Sequence, residues 1–164
     1  MNEGTCRWEW RSFAPSPGDF AGIVAMQGEA PAVSHEVYVL SSLSPDNVKV
    51  RDRSLDVKTM VSVHPTGLQQ WCPTLKAAFP LDDAALRTAC QAWRIAPLPG
   101  SRSSCTLDEF LRDVVGSQPT LRAVAVDKQR TRISGHECPG EHVRLAVGGA
   151  VWESVAFEHD DPLK

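Results

Sequence analysis

Four short stretches of the chain carry charged residues at every second position, the spacing that sets side chains on one face of a β-strand. In Val126-Asp127-Lys128-Gln129-Arg130-Thr131-Arg132, the aligned residues are Lys128, Arg130 and Arg132. In Val48-Lys49-Val50-Arg51-Asp52-Arg53 they are Lys49, Arg51 and Arg53, and Leu55-Asp56-Val57-Lys58 adds Asp56 and Lys58. Arg7-Trp8-Glu9-Trp10-Arg11 aligns Arg7, Glu9 and Arg11 opposite two tryptophans. A last run, starting at Val151, closes on the carboxylate of Glu158. Arginine and lysine gathered in this way suit a multiply charged anion. A guanidinium grips phosphate oxygens two at a time, and an ammonium acts as a point charge. Carboxylates among them would offset the cost of crowding like charges, or hold a divalent metal. A single charged, alternating strand is more often the solvated face of a sheet. Several of them, each with an apolar opposite face, can close into a barrel that is polar inside.

The elements that must position these residues are visible in the same pattern. Residues 5–13, 35–41, 48–53, 54–63 and 68–76 read as strands, with Pro73 marking an edge or a bulge in the last. Phe20, Ile23, Val24 and Gln27 fit a short amphipathic helix that stops near Gly28. Residues 81–94 are the strongest helix, opened by Asp82 or Asp83, with Ala85, Leu86, Ala89, Cys90 and Trp93 on one face. Thr106 and Glu109 have capping-box spacing for a further helix, striped by Phe110, Leu111, Val114 and Val115 and ended by Gly116. Residues 121–133, 141–147 and 151–158 complete the strands, with Gly148-Gly149 as a tight turn. Most connections are short and long helices do not alternate with strands, which argues against a doubly wound sheet. The expected fold is α+β, one domain over residues 1–164: an antiparallel β barrel or tunnel with two or three helices packed outside.

Composition narrows the function classes. The chain has 164 residues, 42% hydrophobic and 23% charged, enough for one domain with its own core. Its net charge of -3 gives no global basic field, so nucleic acid is not an expected partner and the basic strands read as a local anion site. No apolar run approaches a membrane span. Cys6, Cys72, Cys90, Cys105 and Cys138 form no CxxC pair, which argues against structural zinc. Their odd number and the lack of a secretory signal lead us to expect free thiols and a cytoplasmic location. His136 and His142 read as surface-loop histidines rather than metal ligands beside Glu141 and Cys138. Trp8 and Trp10 are expected to pack helices onto the outer face of the barrel.

The order of these motifs resembles the CYTH-like triphosphate tunnel family, which includes thiamine triphosphatases, inorganic triphosphatases and class IV adenylyl cyclases. That family opens on Glu-x-Glu-x-Lys; here Glu9 matches the second acid, Arg11 keeps the charge of the lysine, and Arg7 replaces the first acid. Val48-Lys49-Val50-Arg51 and Val57-Lys58 are similar to its basic strands, and Val126-Asp127-Lys128-Gln129-Arg130 matches its Val-x-Lys-x-Arg strand. Glu141 stands near the family's next inward acid. The closing Glu-x-Glu reads Ala156-Phe157-Glu158 here, with Glu153 off the alternation. The resemblance runs over most of the chain, from about residue 5 to residue 160. It implies that Arg11, Lys49, Arg51, Lys58, Lys128, Arg130 and Arg132 hold phosphates and that Glu9 and Glu158 hold Mg or Mn. It also implies that Glu141 positions a water as the catalytic group. The implied function is binding and metal-dependent hydrolysis of a triphosphate- or polyphosphate-containing compound. The two replaced acids keep an alternative open: a phosphoanion-binding or protein-interaction module that has lost part of its metal site and is not an enzyme.

Overall fold

All of the alternating stretches form strands in the computed structural model of the chain, which describes residues 5–15, 20, 30–97, 104–134 and 137–164. Eight strands are present among them: β1 (Arg7–Ala14), β2 (Ala32–Ser41), β3 (Asn47–Arg51), β4 (Ser54–Val63), β5 (Gln69–Ala78), β6 (Leu121–Ile133), β7 (Gly140–Val147) and β8 (Ala150–His159). They are hydrogen-bonded in the order β1-β5-β4-β3-β2-β6-β7-β8, a closed antiparallel barrel. Between β5 and β6 lie α1 (Asp83–Trp93) and α2 (Leu107–Glu109), the latter running directly into a π-helical stretch, π1 (Phe110–Val115). Pro73 sits inside β5, and a closed barrel has no edge strand, so the edge alternative falls away. Apart from Phe20, the helix expected near Phe20–Gln27 lies outside the described residues.

The chain divides into two compact units. The first contains Glu36–Met60 and the described part of Cys72–Val124. Alternation in its strands separates two faces. Val37 opposes Val50, Val48 opposes Val57, and Val50 opposes Leu55, so one face is wholly aliphatic. That face packs with Leu86, Ala89 and Trp93 of α1 and Phe110 and Val114 of π1 into a single core. Trp93 is fully buried, and its indole Nε1 donates to the Val39 carbonyl at 3.2 Å. Its ring lies 5.8 Å from that of Phe110, which in turn meets Phe79. Complete burial of side chains this size contributes about 1.5–3 kcal/mol each.

The helix ends follow their sequence signals. Asp82 caps α1 by accepting from the Ala85 amide at 2.8 Å, and Arg94 ends it in the left-handed region at φ 58°. Thr106 and Glu109 form the expected capping box.

The second unit contains the described part of residues 5–35, with Val61–Trp71 and Ala125–Lys164. Its largest sheet segment is β6-β7-β8-β1, all antiparallel. Gly148 and Gly149, at φ 56° and 85°, turn β7 into β8, a two-residue connection of the kind that favours left-handed residues. Gly140 lies beneath the Phe157 ring, where an added Cβ would come within 2.7 Å of ring carbons.

Four expectations need correction. Arg53 is not in the basic row, because β3 stops at Arg51, and Asp52 and Arg53 form the hairpin turn at φ 48° and 56°. A two-residue hairpin selects this conformation even without glycine, because it matches the twist of the strands. Cys6 and Cys72 are disulfide-bonded, while Cys90, Cys105 and Cys138 are free. Disulfides persist in oxidising surroundings, so the cysteines no longer argue for a reducing compartment. No helix among the described residues is long and apolar enough to cross a membrane. His142 is a buried residue of β7 rather than a surface loop residue. Trp10 is 46% exposed and stacks obliquely near Phe157, and Trp8 meets His64 edge-on, so among the described residues their ring partners are strand and loop side chains rather than the helices that were expected.

Candidate functional site

The faces opposite the aliphatic alternates carry the charge, and each unit has its own set. In the first unit, the face of β2, β3 and β4 turned away from the helices presents Glu36, Tyr38, Lys49, Arg51, Asp56 and Lys58. Register places Glu36 opposite Arg51, Tyr38 opposite Lys49, Lys49 opposite Asp56, and Lys58 opposite Asn47. Directly opposed residues of an antiparallel pair lie on the same side of the sheet. Glu36 is buried, and its carboxylate meets Lys49 Nζ at 3.2 Å and Arg51 Nη1 at 3.6 Å. Arg51 Nη2 donates to Asp56 Oδ2 at 3.2 Å, and the Lys49 ammonium stands 5.7 Å from the centre of the Tyr38 ring. Asp56 Oδ1 is buried without a hydrogen-bond partner among the described residues. The structure therefore brings Lys49 and Arg51 together on two carboxylates, with Lys58 farther along the same face. Glu36 is the residue missed from sequence. Its signal was its position in His-Glu-Val-Tyr-Val-Leu-Ser, off-phase from Val37 and Val39.

In the second unit, one face of β6-β7-β8-β1 gathers the other seven expected site residues: Glu9, Arg11, Lys128, Arg130, Arg132, Glu141 and Glu158. Glu9 lies opposite Glu158 and Arg11 opposite Ala156; Glu141 lies opposite both Ala156 and Arg132, and Arg130 opposite Val143. Arg11 is the centre of this arrangement. Its Nε and Nη2 donate to the two oxygens of Glu9 at 2.8 and 3.1 Å. Nη2 also donates to Glu141 Oε1 at 2.9 Å, and Nη1 donates to Ser154 Oγ at 2.9 Å. To reach Glu141 on β7 from β1, the guanidinium must cross β8. It does so at Ala156 and Ser154, two small residues that are themselves almost fully buried. Burial pulls the Arg11 pKa down, but its bonds to Glu9 and Glu141 more than reverse this and raise it above the ordinary arginine value, so the charge is permanent.

Looser pairs surround this centre, with Arg130 Nη1 at 3.8 Å from Glu141 and Arg7 Nη1 at 3.9 Å from Glu158. Arg132 is exposed and has no ion pair among the described residues. Lys128 lies farther along the same face, opposite Leu145. Ser154 is the second residue missed from sequence, because a serine between valine and glutamate carries no signal until strand register sets it beside Arg11. Glu153 is off this face, as its phase predicts. It is buried on the other side, 3.7 Å from His142 Nε2.

The Mg or Mn implied by the resemblance does not fit this donor set. Both oxygens of Glu9 and one of Glu141 already accept from Arg11, whereas these ions demand several unshared oxygen ligands in a regular shell. Among the described residues, no group of three or more His, Cys, Asp or Glu is arranged to hold a metal ion.

No protein-family model matches the chain, and no curated protein matches it. Among solved structures, the crystal structure of a putative adenylate cyclase from Bacillus halodurans is similar, with a TM-score of 0.50 at 13% identity. The match covers 96% of this chain and 83% of that one. At this identity the likeness shows the fold: a closed eight-stranded antiparallel barrel with helices packed outside.

Proposed function

We propose that the protein binds a triphosphate- or polyphosphate-containing compound through the cations of the charged face of its second unit. The observation that carries this reading is a local excess of positive charge. On one face of the second unit, Arg7, Arg11, Lys128, Arg130 and Arg132 stand against only Glu9, Glu141 and Glu158, in a chain whose net charge is -3. The Arg130 side chain is 39% exposed and its ion pair with Glu141 is long, at 3.8 Å, so its guanidinium is within reach of a ligand. The fold likeness to a putative adenylate cyclase points toward the same ligand chemistry. Metal-dependent hydrolysis is the finer form of this idea. The carboxylates it needs are engaged by arginine, so we adopt binding without metal-assisted hydrolysis. In this role Arg130, Arg132 and Lys128 contact phosphate. Arg11 holds a fixed charge beside them, and Glu141 orients Arg11 and Arg130 rather than a water.

The test is calorimetric titration of the protein with tripolyphosphate. Arg130→Ala removes charge-assisted hydrogen bonds of about 2 kcal/mol, equivalent to a loss of about 30-fold in affinity. It should leave the thermal midpoint nearly unchanged, because its exposed ion pair contributes less than about 1 kcal/mol. Equal affinity in the variant, or no binding by the wild type at millimolar tripolyphosphate, overturns the proposal and leaves the charged strands as a surface for a protein partner.

A further inference from the structure

We infer that Arg11 is a built-in cation: it occupies the carboxylates that a divalent metal would need and offers its own charge to the bound anion, so that ligand binding is metal-independent. The inference takes its ligand from the phosphoanion reading, but its claim about the metal rests on separate geometry.

Three features point the same way. The first is the pattern of donors. A guanidinium has five N–H donors. The bonds to Glu9, Glu141 and Ser154 account for four of them, which leaves one hydrogen of Nη1 for a ligand oxygen. The second is the path across β8. Arg11 reaches Glu141 because position 156 is alanine, 1% exposed, and position 154 is serine, fully buried. A carboxylate at position 156 would stand directly opposite both Arg11 and Glu141 and would obstruct that crossing. The third is charge. Arg7 holds the strand position two residues before Glu9, so this face already carries more cations than carboxylates. A divalent ion would have to displace a forked, multiply bonded guanidinium and would add repulsion to the cations that remain. The departures from the acidic pattern at positions 7 and 156 therefore serve one arrangement: an arginine seated where its charge cannot dissociate.

The experiment has two arms on the wild-type protein. In the first, Mn²⁺ is titrated into the protein alone and free ion is followed by electron paramagnetic resonance. In the second, tripolyphosphate is titrated calorimetrically in EDTA and again with Mn²⁺ present. The expected results are no protein-dependent loss of the free-ion signal, and binding of tripolyphosphate that persists in EDTA. In Arg11→Gln, which takes the guanidinium away from Glu9 and Glu141, Mn²⁺ uptake should rise at least tenfold. Arg11→Lys keeps a charge near the carboxylates and should not show that rise. Stoichiometric uptake of Mn²⁺ by the wild type overturns the inference, as does tripolyphosphate binding that is lost in EDTA and restored by Mn²⁺. Absence of tripolyphosphate binding under both conditions would instead defeat the function proposed above, while the Mn²⁺ arm would still decide the place of Arg11.

Discussion

The two charged faces are written in the same alternating code, yet they are built differently. In the first unit, the central charge is an acid. Glu36, its side chain only 2% exposed, sits between Lys49 and Arg51, with Asp56 completing the set. In the second unit, the central charge is a base, Arg11, bound by Glu9 and Glu141. The cations around Glu36 are drawn inward, with Lys49 and Arg51 side chains 17% and 28% exposed, whereas Arg130 and Arg7 in the second unit are 39% and 53% exposed. An acid-centred set spends its cations on itself. A base-centred set turns its acids inward and leaves its outer cations more exposed. Alternation decides which side chains share a face; the sign of the member that the others bond to decides whether the remaining cations are drawn in or left exposed.

This contrast can be attacked from several sides. The first unit has a helix-backed core behind its charged face, so Trp93→Ala should cost about 4 kcal/mol in chemical denaturation. It should also remove amide protection from β2, β3 and β4 together. Retained protection there would mean that the backing does not set the charged row.

Glu36→Gln comes next, at about 3 kcal/mol, because it removes the charged carboxylate that the half-buried Lys49 and Arg51 share, while Arg51 keeps Asp56. The cations it releases should make the variant respond more strongly to tripolyphosphate in thermal unfolding than the wild type does. An equal response would erase the distinction between the two charged faces. The smallest of the three is Gly140→Ala in the second unit. The new methyl meets the Phe157 ring and the Ala156 carbonyl, at 2.7 and 3.0 Å, for a loss of about 2 kcal/mol. A neutral result would show that β7 and β8 have slack that the close approach of Gly140 denies.

Much of the barrel was legible because its strands alternate cleanly and its turns are marked. The stretch 121–133 matches β6 at both ends, and Thr106 with Glu109 marked a real helix start. The row Lys128, Arg130, Arg132 and the pair Lys49, Arg51 followed from parity alone. What could not be read is whatever depends on register between strands far apart in the chain. The bonding of Cys6 and Cys72, the burial of His142 beside Glu153, and the seat of Ser154 under Arg11 are of this kind. Parity gives a residue its face, but only the partner strand gives it a neighbour. Glu36 is intermediate: its phase was readable, yet its burial required Arg51 directly across from it.

The π-helical stretch shows another way in which register is kept. Its hydrogen bonds span five residues, as in the bond from the Gly116 amide to the Leu111 carbonyl. At 3.6 residues per turn, Val115 would point well away from Phe110. In the wider turn, positions four and five residues on straddle the starting residue, and Phe110, Val114 and Val115 are all buried. The helix thus accommodates one more residue than its axial length requires, and it stores that surplus as girth. Inserted length is ordinarily absorbed in loops. Here the extra residue of the wider turn is carried inside a packed element, which puts Val114 and Val115 together on the buried side with Phe110.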